Sequence, residues 1–127
     1  AAVYADRSRT RQILFNLIGN AIKFTDRGFV RLLITARGDE IVFEVHDSGA
    51  GIPEAEFENI FDPFYQIDST AVRRAGGTGM GLSISRNLAE MQGGSLVVAS
   101  TFGEGSQFTL TLPATQAVGA AAVYKVH

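Results

Sequence analysis

The sequence predicts an α/β (α+β) two-layer sandwich, in which helices cover one face of a mixed, mostly antiparallel sheet. Two segments have apolar residues at helical spacing, and each is followed by two β-rich runs joined by a turn. The length of 127 residues suits one domain with a single two-layer core. The second face of the sheet is expected to be available to a partner.

The first helix is predicted over residues 6–25. Asp6 suits the N-cap position, and the turn-forming residues 26–28 should end the helix near Thr25. Its apolar residues lie on one broad side at helical spacing: Ile13, Leu14, Leu17, Ile18, Ala21 and Phe24.

Three polar residues of this helix form a stripe beside the apolar face. Asn16, Asn20 and Lys23 stand at positions i, i+4 and i+7, so they stack along the helix. The stripe is suited to line a site for an anionic or metal-bound ligand. A solvated helix edge is the alternative interpretation of the same pattern.

The next two β-rich runs, residues 29–36 and 41–47, predict an antiparallel hairpin. Strand alternation places Asp47 on the same face as Val45, toward the core, and His46 on the opposite face beside Glu44. His46 is therefore predicted to be a surface residue. A carboxylate without donors is unfavourable on a core-facing side, so Asp47 predicts a donor there, for example the exocyclic amine of a ligand.

Gly49 and Gly51 follow this strand directly and allow a sharp turn or a close approach of a ligand to the main chain. Pro53 suits the start of a short helix over residues 54–59. The aromatic residues between 60 and 65 are predicted to belong to the core.

Residues 66–75 are polar, contain Arg73 and Arg74, and predict a mobile loop. The glycine-rich residues 76–82 open a second helix, which is predicted to have Ile84, Leu88 and Met91 on one face and to end at 93–94. Free N–H groups at such a helix start suit a phosphate. The segment matches neither a P-loop nor the dinucleotide-binding fingerprint.

The last predicted hairpin comprises residues 95–100 and 107–112. The remaining residues, 114–127, are alanine-rich without clear turn or cap signals. We therefore predict a single domain over residues 1–113 and a linker or disordered tail over residues 114–127.

The composition excludes several classes of function. The net charge of −2 gives no electrostatic reason for binding to nucleic acid or to an anionic membrane. Without cysteine and with two histidines, the chain has no thiolate site and is poorly suited to zinc. No signal peptide or membrane-spanning run is present in the sequence. We expect an excised cytoplasmic domain, or the cytoplasmic part of a larger membrane-bound parent, with no membrane contact of its own.

Four motifs resemble those of a known family. They are an N box at residues 16–25, a G1 box at 47–51, an F box at 61–64 and a G2 box at 77–82. In this order they resemble the catalytic and ATP-binding domain (HATPase_c) of sensor histidine kinases, within the GHKL ATPase superfamily. The resemblance covers residues 6–113 and implies a Bergerat-type ATP-binding fold, with residues 66–75 as the ATP lid.

The resemblance implies a role for each matching residue. Asn20 would be a ligand of the Mg²⁺ bound with ATP, and Asn16 and Lys23 would lie along the phosphates, so that these three form the catalytic set. Asp47 would accept a hydrogen bond from the adenine amino group. The further ATP-binding residues would be Phe24 against the nucleotide, Gly49, Gly51 and Ile52 around the base, and Gly77, Thr78, Gly79, Met80, Gly81 and Leu82 at the phosphates.

The sequence departs from the family's pattern at two points. Gln66 stands where many such kinases have an arginine that reaches the γ-phosphate, and Arg73 or Arg74 would take over that role. Neither His46 nor His127 has the sequence context of a phosphoacceptor histidine. The resemblance therefore implies transfer of the γ-phosphate of Mg-ATP to a histidine on a separate dimerisation domain. Onward transfer to the receiver domain of a response regulator would follow, and these residues alone would turn ATP over slowly.

Two other functions remain open at this stage. ATPases of the gyrase, mismatch-repair or chaperone type have a general-base glutamate where this chain has Asn16, and so do anti-sigma-factor serine kinases. A neutral amide cannot accept that proton. A module that keeps the fold but acts only in protein interaction or sensing is the second alternative.

Overall fold

Two helices lie on one face of a five-stranded sheet in the computed structural model, which describes residues 7–63, 81–113 and 121–125. The elements are α1 (Arg7–Phe24), β1 (Val30–Arg37), β2 (Glu40–Asp47), α2 (Gly81–Met91), β3 (Ser95–Thr101), β4 (Gly105–Pro113) and β5 (Ala121–Lys125). The predicted two-layer α+β fold is confirmed.

The sheet has the strand order β3-β4-β2-β1-β5. Each described pairing is antiparallel. We expected a mixed sheet, but the part of the sheet that the structure describes is purely antiparallel. Both predicted hairpins are present, β1 with β2 and β3 with β4. Strand β4 joins the two hairpins by pairing with β2, with Asp47 opposite Ser106.

The expected loose tail contains a strand. Residues 121–125 pair with β1, with Leu33 opposite Val123, and place β5 at the edge of the sheet. The prediction that residues 114–127 form only a linker or disordered tail is therefore wrong for these five. A short alanine-rich run has little side-chain pattern from which a strand could be predicted. The strand forms because the edge of β1 offers hydrogen-bond partners to its main chain. The domain boundary at residue 113 stays a prediction.

The core lies between the helices and one face of the sheet. The buried apolar residues of α1 are Ile13, Leu17 and Ala21, as the helical spacing predicts. The sheet contributes buried side chains from alternate positions of its strands, which are Val30, Ile41, Phe43, Val45, Leu96, Phe108, Leu110 and Leu112. This face also carries Asp47, because β2 alternates in the register that the sequence predicts.

The predicted apolar face of α2 is confirmed for Leu88, which packs against the core, and wrong for Ile84 and Met91. Ile84 is 39% exposed and Met91 is 65% exposed, whereas the small residues Ser83, Ser85 and Ala89 are buried. Small side chains let α2 approach α1 closely, and this contact between the helices determines which face of α2 is buried. The predicted end at the glycine pair is confirmed, since Gly94 N donates to Ala89 O at 2.9 Å.

The short helix predicted over residues 54–59 is replaced by two 3₁₀ turns, Glu54–Glu56 and Asn59–Phe61. Phe61 is buried, as predicted for the aromatic cluster, and meets Phe108 edge to face with 6.4 Å between the ring centroids. The guanidinium of Arg86 lies 4.3 Å above the Phe61 ring, which connects this turn to α2. Phe64 and Tyr65 lie outside the described residues.

Within the ranges that the structure describes, no helix is both long enough and apolar enough to cross a membrane.

Candidate functional site

The carboxylate of Asp47 lies at the end of β2, half-buried on the core side of the sheet. Its Oδ1 atom accepts a hydrogen bond from Gly49 N at 2.9 Å. Burial raises the pKa of Asp47, and the backbone N–H groups of Gly49 and Ser106 and the nearby His46 partly offset this. The fold therefore holds a carboxylate that has lost much of its water, where a ligand's donor would be favourable.

The raised pKa of Asp47 predicts how stability depends on pH. In the unfolded chain this group ionises at about pH 4, and in the fold it ionises at higher pH. Between these values the folded state binds more protons, so the contribution of Asp47 to the free energy of unfolding falls as pH rises. Asp47→Asn removes this effect. In urea titrations without ligand, the variant should gain stability relative to the parent from pH 3.5 to pH 7, and a relative loss would contradict this prediction.

Gly49 brings the strand end against the end of α1. A Cβ at this position would overlap the main-chain oxygen of Phe24, and it would lie 2.9 Å from Thr25 Oγ1 and 3.0 Å from Asp47 Oδ1. The absence of a side chain is therefore required for the close approach of β2 to α1. The neighbouring Ser48 joins the same strand end to the residue before β1, since its Oγ accepts from Phe29 N at 2.8 Å.

Thr25 has a buried hydroxyl beside the carboxylate. The residue is 4% exposed, and its Oγ1 has no hydrogen-bond partner in the described structure. Burial of an unpaired hydroxyl costs about 1–3 kcal/mol. A donor or acceptor bound beside Asp47 would lie next to this hydroxyl, which is a feature expected of a site for a polar ligand.

Ile52 is anchored to the opposite hairpin. Its N–H donates to Ser100 Oγ at 2.7 Å, and Ser100 Oγ donates to Gly105 O at 2.7 Å. The loop after Asp47 also meets the β3–β4 turn, where Gly103 N donates to Ala50 O at 2.6 Å. This loop is therefore held from α1 on one side and from β3 on the other.

Asn16 lies at the contact between α1 and α2. Its Nδ2 atom donates to Ser85 Oγ at 2.9 Å. A Cβ at Gly81 would overlap Asn16 Oδ1 and would lie 3.0 Å from Asn16 Nδ2, so the amide is packed directly on the first residue of α2. The structure thus joins the polar stripe of α1 to the helix start at which the glycine-rich segment ends.

The other polar stripe residues follow along α1. Asn20 is half-buried and Lys23 is exposed, and Phe24 is half-buried at the end of the helix beside Gly49. From Asn16 to Phe24 the helix rises about 12 Å. One helix therefore connects the end of the site at Asp47 to the end at Gly81.

Several predicted site residues lie outside the described residues. These are Gln66, Arg73, Arg74, Gly77, Thr78, Gly79 and Met80, together with Phe64 of the F box. Gly81 and Leu82 of the G2 box are described, and both are half-buried at the start of α2. The predicted surface residue His46 is only partly exposed, because its Nε2 lies 3.0 Å from Glu44 Oε1.

No group of three or more His, Cys, Asp or Glu side chains in the described ranges could hold a metal ion by itself. Amide oxygens such as that of Asn20 are suited to a hard cation that takes its other ligands from a phosphate chain. The donors present are thus compatible with a cation that arrives with its ligand.

Comparison with known proteins identifies the family. Residues 5–116 match the family described as histidine kinase-, DNA gyrase B- and HSP90-like ATPase. The chain belongs to this family. Within it, this ATPase domain is of the kind found in sensor histidine kinases, as the four motifs predict.

The domain is also similar in sequence to part of two curated proteins. The domain is 50% identical over 114 residues to the aerobic respiration control sensor protein ArcB of Escherichia coli. It is 46% identical over 110 residues to the circadian input-output histidine kinase CikA of Synechococcus elongatus. These matches cover 88% and 86% of the chain and 15% of each relative. The chain therefore corresponds to a small part of such proteins.

A solved structure supports both fold and family. The histidine kinase ATPase domain superposes on full-length ShkA in complex with AMPPNP with a TM-score of 0.72 and 35% sequence identity. The match covers 95% of this chain and 26% of ShkA. Together the comparisons confirm an ATP-binding catalytic domain of the sensor histidine kinase type.

Proposed function

We propose that this domain binds Mg-ATP and donates the γ-phosphate to a histidine on a separate dimerisation domain of its parent protein. Onward transfer to an aspartate of a response-regulator receiver domain would follow. The observation that carries the proposal is the arrangement along α1, with Asp47 at one end and Asn16 packed on Gly81 at the other. The complex of the similar protein ShkA with AMPPNP, an ATP analogue, supports the choice of nucleotide.

In this proposal the purine lies at the Asp47 end. The carboxylate accepts a hydrogen bond from the exocyclic amine of adenine, whereas guanine presents a carbonyl acceptor at the corresponding position. Phe24, Gly49, Gly51 and Ile52 surround the base. The Thr25 hydroxyl beside Asp47 has no hydrogen-bond partner among the described residues, and this supports a polar ligand at this end.

The phosphates extend along α1 from the Asp47 end of the site toward Gly81 at the start of α2. Asn16 and Lys23 would lie along them, Asn20 would be the protein ligand of Mg²⁺, and residues 78–82 would offer main-chain N–H groups to the phosphate oxygens. Mg²⁺ supplies neutralisation of the charge that develops on the phosphates. Arg73 or Arg74 takes the place of the arginine that Gln66 replaces.

Transfer rather than hydrolysis is favoured by Asn16. Its amide cannot act as the general base that activates water, and its Nδ2 is already engaged by Ser85 Oγ at 2.9 Å. The domain holds the nucleotide and presents it to an acceptor, so catalysis depends on positioning and on charge neutralisation. We place this activity in the cytoplasm, with no membrane or nucleic-acid contact by the domain itself.

Titration with a fluorescent ATP analogue, with and without Mg²⁺, tests the proposal. Mg²⁺ should tighten binding by about tenfold or more, equivalent to about 1.4 kcal/mol. Asn20→Ala should abolish this difference, because the protein ligand of the ion is lost. Asn87→Ala removes an exposed amide from the outer side of α2, and this variant should keep the difference in affinity with and without Mg²⁺.

Two results would contradict the proposal. One is the absence of nucleotide binding by the parent chain under both conditions. The other is rapid ATP hydrolysis by the isolated chain, measured as phosphate release, since this would indicate an ATPase and not a kinase domain.

A further inference from the structure

The contact between Asn16 and Ser85 joins two parts of the site that are 69 residues apart in the sequence. Ser85 is 2% exposed and lies on the buried face of α2, one turn after Gly81. Its Oγ accepts a hydrogen bond from Asn16 Nδ2 at 2.9 Å. Sequence motifs give no indication of this pairing, because Ser85 lies beyond the G2 box.

The hydrogen bond restricts the amide of Asn16. An asparagine amide has a donor end and an acceptor end, and rotation about the last side-chain bond exchanges them. With Nδ2 engaged by Ser85, Oδ1 is turned toward Gly81, where a Cβ would overlap it. Ser85 and Gly81 therefore select one orientation of the amide, the first by bonding and the second by leaving space.

The same contact sets the spacing of the two helices. Asn16 lies on the stripe of α1 that also carries Asn20 and Lys23, and Ser85 lies in the second turn of α2. A buried hydroxyl is not needed for packing alone, since Ala89 fills the equivalent position one turn later. The hydrogen bond adds a direction and a distance that an apolar contact would not supply.

We propose that Ser85 is a positioning residue for the phosphate end of the nucleotide site. By holding the Asn16 amide against Gly81, it keeps the polar stripe of α1 at a set distance from the N-terminus of α2. Ser85 itself does not touch the nucleotide. The inference rests on the proposed binding of Mg-ATP between these two helices.

A double-mutant cycle with Ser85→Ala and Asn16→Ala tests this role in the complete chain, with calorimetric titration of Mg-ATP. Ser85→Ala should weaken Mg-ATP binding by about tenfold, as expected for one oriented hydrogen bond. In the Asn16→Ala background the same change should have no further effect, because Ser85 acts through that amide. Binding of adenosine, which has no phosphates, should change by less than about twofold, a difference below about 0.4 kcal/mol.

Two further variants separate the hydrogen bond from packing. Ser85→Cys nearly keeps the volume but offers a weak acceptor, so it should weaken Mg-ATP binding as alanine does. Ser95→Ala removes an exposed hydroxyl at the start of β3 and should leave binding unchanged.

The possible results distinguish this inference from the proposed function. The positioning role would be overturned if Ser85→Ala lowered the affinity for Mg-ATP and for adenosine equally. It would also be overturned if Ser85→Ala lowered the affinity for Mg-ATP equally in the parent and in the Asn16→Ala background. Failure of the parent chain to bind Mg-ATP would instead overturn the proposed function and the inference with it. Thermal unfolding of each variant identifies any loss of binding that comes from unfolding.

Discussion

Asp47→Ala should abolish detectable ATP binding, with a loss of affinity of about 100-fold. A hydrogen bond to a charged group contributes up to about 3 kcal/mol, and each 1.4 kcal/mol corresponds to tenfold in affinity. The side chain is held by Gly49 N at the core-facing end of β2, so no neighbouring group can replace it without moving the loop. Titration of fluorescent ATP measures the loss. Asp39→Ala, in the turn between β1 and β2, is the matched control and should bind as the parent does.

Asp47→Asn tests the chemical basis of this effect. The carboxamide oxygen can still accept from Gly49 N, which leaves the amide NH₂ to face the ligand. Inosine triphosphate has a carbonyl where ATP has the amine, so the variant should lose the preference of the parent for ATP over inosine triphosphate. An unchanged preference in this variant, or undiminished ATP binding by Asp47→Ala, would place the purine elsewhere.

Gly49→Ala should lower the free energy of unfolding by about 3 kcal/mol, the upper range for an added group in a packed site. The added Cβ would overlap the main-chain oxygen of Phe24, which cannot move without distorting the end of α1. Nucleotide binding should fall together with stability, because the same movement displaces Asp47. Urea unfolding and ATP titration measure the two effects.

Gly19→Ala is the matched control for this substitution. Gly19 lies within α1, and an added Cβ there meets no atom within 4 Å in the part of the chain that the structure describes. Alanine is favoured over glycine in a helix, so the control should be more stable than the parent by about 0.5–1 kcal/mol. Similar changes in the free energy of unfolding for the two variants would show that the space beside Gly49 is not as tight as described.

Local patterns predicted much of this domain. Strand alternation placed Asp47 on the core-facing side, and helical spacing identified the buried residues of α1. These features depend on residues close together in the sequence, for which the periods of helix and strand are sufficient. The turn and glycine signals likewise predicted both hairpins.

Long-range contacts account for what the sequence did not predict. The buried face of α2 is set by its approach to α1, and this favours Ser85 and Ala89 over the larger Ile84 and Met91. The pairing of residues 121–125 with β1 depends on a strand about ninety residues earlier in the chain. The roles of the site residues came from resemblance to a family, since composition and spacing alone indicate only a polar stripe and glycine-rich loops.

Main-chain atoms of neighbouring segments pack directly against two glycines at the Asp47 end of the site. The carbonyl oxygen of Phe24 occupies the space beside Gly49, and that of Asp47 occupies the space beside Gly105. An inhibitor bound beside Asp47 would therefore lie next to packing that a side chain at Gly49 or Gly105 would disrupt. Resistance mutations at either glycine would disturb the packing of this strand end, so drug resistance there would come at the expense of the domain's own folding.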